Sequence, residues 1–198
     1  MDRDLLRANF ENFVQLTEKE WQLAASLLTE RRFARGAFLT TEGSINRYTN
    51  FITSGSVRVY YIDPAGQEHV VQLGIRGWWT GDFPSFITQE AGLLYSEALE
   101  ATETLSFSYM HLQQLYTEAP VFERFFRLLV QKAYASFQYR LLHNISLDAE
   151  QRYRAFRDRY PELDASIPQK HIASYLGMSA EFLSKIKKRV HQSRTSTR

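Results

Sequence analysis

The segment PVFERFFRLLVQKAYASFQYRLLHNI (120–145) has no glycine or proline after its first residue, and it carries Phe122, Phe125, Phe126, Leu129, Ala133, Phe137, Leu141 and Ile145 mostly three or four apart. That is the period of one helical face. At 1.5 Å per residue such a helix is about 37 Å long, more than a small globular neighbour covers by itself. Its apolar side either lies wholly on its own domain or meets a second copy of itself. A self-complementary seam of Phe122, Phe126, Leu129, Ala133, Phe137 and Leu141 favours the second copy, a twofold homodimer.

Upstream of that helix the pattern is different. In LTEKEWQLAASLLTERR, Thr17 and Glu20 have capping-box spacing, and Trp21, Ala24, Ala25 and Leu28 form one face; a helix of about four turns is predicted. After Arg32 come short runs bounded by glycine. In one of them Val57, Val59 and Tyr61 alternate with Ser56, Arg58 and Tyr60, and DPAGQ (63–67) supplies a tight turn. Several short strands at this spacing predict a compact antiparallel barrel or roll. Downstream, LDAEQRYRAFRDRY (147–160) reads as a helix stopped by Pro161, and PELDASIP (161–168) as a linker. The fold class is α+β, in three parts: an N-terminal antiparallel β-roll over 1–119, a long dimerisation helix over 120–146, and an all-α domain over 147–198.

The all-α part contains IPQKHIASYLGMSAEFLSKIKKR (167–189). Ile172, Ala173, Leu176, Leu183 and Ile186 fall where two crossed helices need apolar or small side chains. Gly177 suits a left-handed turn between them, and Ser179 suits an N-cap. Phe182 is expected to face inward beside Leu183 and Ile186. The outward set is then Ala180, Glu181, Ser184, Lys185 and Lys188, on a helix fit to enter a DNA major groove. Glu181 can accept from a cytosine amino group and Lys185 can donate to guanine, while Gln169, Lys170, Ser179 and Lys188 are placed for phosphates. The run Lys185, Lys187, Lys188 and Arg189 is read as phosphate ligands. Over residues 166–198 seven Lys or Arg face one acid, a net +6 that leaves −4 for the rest of a chain whose formal charge is +2. That asymmetry predicts a polyanionic partner, double-stranded DNA.

Other classes are excluded or disfavoured. There is no cysteine, so disulfides, thiolate metal centres and cysteine nucleophiles are absent, as expected of a cytosolic chain. No apolar run approaches the length of a membrane span or a signal sequence. A cupin-like metal enzyme needs clustered ligands, yet His69, His111, His143, His171 and His191 are isolated. No nucleophile elbow and no phosphate loop occur. The chain is therefore not expected to be an enzyme or to hold a metal. A ligand-binding module that does not touch DNA remains the other alternative.

The order of helix, roll, long helix and helix-turn-helix resembles the Crp/Fnr superfamily of bacterial transcription regulators. The likeness rests on Glu42-Gly43, ITSGSVRVY (52–60), TGDF (80–83, in place of a Phe-Gly-Glu motif) and IASYLGMSAEFLSKIKK (172–188). It implies a homodimer on a palindromic operator and a cyclic-nucleotide-binding-like roll, with RNA polymerase as a further contact. Carried onto this sequence, the ligand segment comprises Gly81, Asp82, Phe83, Tyr95 and Ser96. Where the family holds a phosphate by an arginine, this chain has Tyr95 or Ser96, with Glu97 adjacent, and no Lys or Arg lies between Arg76 and Arg124. A cyclic nucleotide is thus disfavoured. Trp78, Trp79, Phe83, Phe86, Leu93, Leu94 and Tyr95 either surround a neutral or apolar effector or are simply core and dimer contact. The strands that often follow the reading helix are missing, and HQSRTSTR (191–198) reads as a disordered basic arm or a passive tail.

Overall fold

A computed structural model describes residues 1–195, with side chains through Val190; the tail reading at 191–198 and His191 therefore lie outside the described side chains. Two helices open the chain, α1 (Arg3–Glu11) and α2 (Glu18–Leu27). The capping box is present: Thr17 Oγ1 accepts from the Glu20 N–H, and Glu20 accepts from the Thr17 N–H. The helix stops short of the expected four turns because Thr29–Phe33 leaves it as strand β1, paired with β8 (Thr102–Ser108). The other strands are β2 (Phe38–Thr40), β3 (Tyr48–Ser54), β4 (Ser56–Ile62), β5 (Glu68–Ile75), β6 (Trp79–Thr80) and β7 (Tyr95–Ala98).

They form two antiparallel four-stranded sheets, in the orders β1-β8-β3-β6 and β2-β7-β4-β5. Their inner faces meet through Leu39, Ile52, Val57 and Ala98, with Phe33 at the edge. Both outer faces are also covered. Phe51, Leu105 and Phe107 of the first sheet pack with Leu6, Phe10, Leu112, Leu115, Phe122 and Phe125, from α1, α4 (Tyr109–Glu118) and the start of α5 (Val121–Ser146). On the second sheet Tyr60, Val70, Leu73 and Ile75 pack with Tyr153, Phe156, Leu163, Ile172 and Leu176. These come from α6 (Ala149–Arg159), α7 (Pro161–Ser166) and α8 (Gln169–Tyr175), and α9 (Ala180–Thr195) completes the helical part. The segment read as a linker thus forms the short helix α7. A strand covered on both faces has no polar side, so Ser56 through Tyr60 are all buried and the expected alternation fails there.

The seam residues of α5 divide. Phe122 and Phe126 are 0 % and 8 % exposed inside the chain's own core, where Phe122 meets Phe10 edge-on at 5.0 Å, and Leu129 is packed against that core. They cannot be dimer contacts while this core is closed. Ala133, Phe137 and Leu141 are exposed, as are Val130, Tyr134 and Ile145. Among the described residues no helix is long and apolar enough to cross a membrane.

Candidate nucleic-acid interface and roll interior

Helices α8 and α9 meet at a tight turn in which Gly177 has φ +68°, a conformation that disfavours side chains with a Cβ. Ser179 Oγ accepts from the Phe182 N–H at 3.2 Å and so starts α9. Leu183, Ile186 and Val190 are at most 1 % exposed and close the small core. Phe182 is 44 % exposed, contrary to the inward position expected for it, because it lies one residue off the Leu183–Ile186–Val190 stripe.

Of the residues assigned to DNA, Lys170, Ser179, Glu181, Lys185 and Lys188 are exposed, while Ala180 and Ser184 are half-buried. Gln169 is also half-buried; its Nε2 donates to the Ala180 carbonyl at 3.0 Å, which joins the two helices and occupies the amide assigned to phosphate. The cation run splits as well. Lys187 turns inward to Asp164 at 2.7 Å, with its Nζ 5.4 Å from the Tyr153 ring centre, so it is a structural ion pair and not a phosphate ligand. Arg189 lies 4.0 Å from Glu150. Lys185 and Lys188 form no ion pair among the described residues. The Glu181 carboxyl is held below the usual carboxylate range by its own N–H at the helix start and by the Ser179 hydroxyl, so it stays an acceptor.

The head is fastened to the roll through α8. Ser174 Oγ accepts from the Val70 N–H and donates to the Glu68 carbonyl, each at 3.0 Å. Beside this lies Arg58, 6 % exposed, whose guanidinium pairs with Glu68, with Glu97 at 2.6 Å, and lies 4.0 Å over the Tyr60 ring. Its Nη1 is 3.4 Å from His171 Nδ1. Burial, reinforced by Arg58 and Lys170, pushes His171 down to about 4, so the ring is neutral at pH 7 and free to accept. Glu97 therefore faces the helices, not the roll interior where the sequence reading put its charge.

The ligand segment is largely used elsewhere. Asp82 caps the short helix α3 (Phe83–Thr88): its Oδ1 accepts from the Ser85 N–H at 3.1 Å and its Oδ2 from the Leu94 N–H at 3.3 Å. Gly81, at φ +142°, sits tightly beside the Asn46 amide. Phe83 and Leu93 are exposed. Trp79 and Phe86 belong to the N-terminal core, and Trp78 and Tyr95 pack toward the C-terminal helices, with Tyr95 stacked on Tyr60 at 5.3 Å. No aromatic effector pocket forms from these residues. Ser96, two residues from Ala98 on β7, shares its inward face and is fully buried; among the described residues neither its hydroxyl nor Thr80 Oγ1 has a hydrogen-bond partner.

Beside the apolar contact of Leu39, Ile52, Val57 and Ala98, the roll interior carries polar groups. Arg31, paired in register with the buried Thr104, donates from Nη1 to Asn50 Oδ1 at 2.9 Å. Its guanidinium lies 4.4 Å over Tyr48 and 4.8 Å over Phe33. With Thr40, Asn46, Tyr48 and the exposed Arg47 it lines a cavity of about 270 Å³ that no carboxylate lines. The sequence reading sought a cation only near the ligand segment and missed this one, because β1 was read as helix. Among the described residues no group of three or more His, Asp or Glu is placed to hold a metal ion.

Residues 30–119 match the Cyclic nucleotide-binding domain family. No curated protein sequence matches the chain. Among solved structures, the c-di-GMP responsive global regulator CLP of Xanthomonas campestris is similar with a TM-score of 0.70 at 20 % identity, over 89 % of this chain and 93 % of that one. FixK2 from Bradyrhizobium japonicum gives 0.71 at 16 % identity, over 84 % of this chain and 85 % of that one. The catabolite activator protein of Thermus thermophilus gives 0.55 at 23 % identity, over 91 % of this chain and 86 % of that one. These likenesses show the fold: an antiparallel cyclic-nucleotide-binding roll followed by several helices.

Proposed function

We propose that the chain is a Crp/Fnr-type transcription regulator, a homodimer whose two α9 helices enter successive major grooves of a palindromic operator. The observation that carries this reading is the division of α9: Leu183, Ile186 and Val190 are buried, while Glu181, Lys185 and Lys188 stand exposed with both lysines unpaired among the described residues. A helix bearing this edge suits the groove, and the regulators it resembles in fold supply the context. The dimer is supported by Val130, Tyr134, Phe137, Leu141 and Ile145, spaced four or three apart along an exposed stripe of α5. The regulatory input we assign to the cavity of the roll that Arg31 lines with Thr40, Asn46 and Tyr48.

Selection of bound sequences from random duplexes, followed by a salt titration, tests the reading. Lys185→Ala is expected to relax preference at one position per half-site. Lys188→Ala is expected to weaken binding to all sequences and to reduce the salt slope by about 1. A chain indifferent to duplex DNA at low salt, or the same loss for both variants on selected and random duplexes, refutes it.

A further inference from the structure

We propose that the cleft between α5, α6 and α8 binds the phosphate group of a small anionic ligand. Three guanidiniums line it, Arg140 from α5 and Arg152 and Arg159 from α6, together with His143, Tyr139 and Tyr175. No aspartate or glutamate does.

Helix α6 makes the contrast within itself. Its other two arginines are paired, Arg154 with Glu150 at 2.8 Å and Arg157 with Asp158 at 3.0 Å. The cleft arginines have only neutral partners among the described residues. Arg140 Nη1 donates to the Val71 carbonyl at 3.0 Å, Arg152 Nη1 to the Leu147 carbonyl at 3.2 Å, and Arg159 Nη2 to the Ser136 hydroxyl at 2.9 Å. Arg140 is held 4.6 Å over the Tyr175 ring and Arg159 5.6 Å over Tyr139. Each guanidinium has five N–H donors, so most remain unused. The Arg152 Nε is buried with no hydrogen-bond partner among the described residues. Like charges held together in a partly dry cleft repel, and a dianion that accepts several charged hydrogen bonds removes both the repulsion and the unmet donor.

Shape narrows the ligand. The cleft holds about 40 Å³, room for a few waters at about 10–15 Å³ each. That suits one tetrahedral oxyanion at the floor, with anything larger extending from the mouth. Ser136, Tyr139 and His143 lie on the side of α5 away from the stripe of Tyr134, Phe137 and Leu141, with Arg140 at the border, 5.6 Å over the Phe137 ring. A partner helix on that stripe leaves the cleft open. The site does not depend on α9 reading DNA.

Calorimetric titration of the free chain, without DNA, tests it. Sodium phosphate is one arm and adenosine 5′-monophosphate the other, each against sodium chloride at matched ionic strength. Saturable millimolar or tighter binding in the phosphate arm alone assigns a free oxyanion; binding in the ester arm alone assigns a phosphate monoester; both support the site. Arg152→Gln is expected to weaken binding roughly tenfold or more. Arg159→Gln, at an exposed position, gives the same test without risk to the fold. Arg157→Gln removes an equal charge outside the cleft and is expected to leave affinity unchanged. No binding in either arm, unchanged affinity in both cleft variants, or an equal loss in Arg157→Gln overturns the proposal.

Discussion

His171 sits between the guanidinium of Arg58 and the body of α8, so acid places a second cation against a buried one. The magnitude follows from the shift. In the unfolded chain the imidazole titrates near its ordinary value of about 6.5; in the fold burial holds it down to about 4. The neutral ring is therefore the folded form. Above the unfolded value its contribution is fully present, and as pH falls through the window from about 6.5 to 4 the unfolded state takes up the proton first and stability drops. At pH 4.5 the loss reaches at most about 2.5 kcal/mol, since one unit is worth about 1.4 kcal/mol. Glu68 beside it is 44 % open to solvent, which screens the repulsion and reduces that figure. Urea unfolding of the wild type and of His171→Gln between pH 7.5 and 4.5 measures the effect. The glutamine keeps an acceptor for Arg58 but cannot titrate. The difference between the two proteins is expected to move in favour of the variant by about 1–2.5 kcal/mol across that range. Parallel acid limbs would refute the assignment of a neutral His171 packed on Arg58.

Two predictions concern packing. Phe137→Glu is expected to convert a dimer to a monomer in sedimentation analysis without lowering stability, whereas Phe122→Ala is expected to cost about 3–5 kcal/mol in unfolding because its ring is fully buried in the core; a monomeric wild type, or a Phe122→Ala variant of unchanged stability, contradicts this division of α5. Gly92→Ala places a Cβ in steric overlap with Asp82 Oδ2. It is expected to lower stability by about 1–3 kcal/mol in the same unfolding assay, and a neutral outcome would mean that the α3 cap yields without cost.

Local rules were enough for the parts of the chain whose signals are local. Thr17 and Glu20 named their own capping box, Ser179 its N-cap and Gly177 its turn, because each depends on neighbours a few residues away. Where a distant segment decides, the sequence misled. Leu28 to Arg32 continues a helical pattern, yet pairing with β8 draws Thr29–Phe33 into a sheet and turns Arg31 into the roll. Phe122 and Phe126 carry the right spacing for a seam, but α1 reaches them first and buries them with Phe10. Arg58 looked like the polar side of a half-exposed strand until α8 covered it; the signal available was that Val57, Val59 and Tyr60 around it leave that strand no polar side. Lys187 read as one of four equivalent cations, and only Asp164 of α7, a helix read as linker, sets it apart.

The distal half of α5 carries two neighbouring claims on one rod. Phe137 and Leu141 point outward, and Arg140, its guanidinium 5.6 Å over the Phe137 ring, is bonded to Val71 of the second sheet and laid over Tyr175 of α8. A rigid rod cannot roll about its axis on one side alone. Any turn that repacks the outward aromatic row must drag Arg140 off Tyr175 or off β5, so the pitch of the head and the setting of that row are geared together by a single arginine.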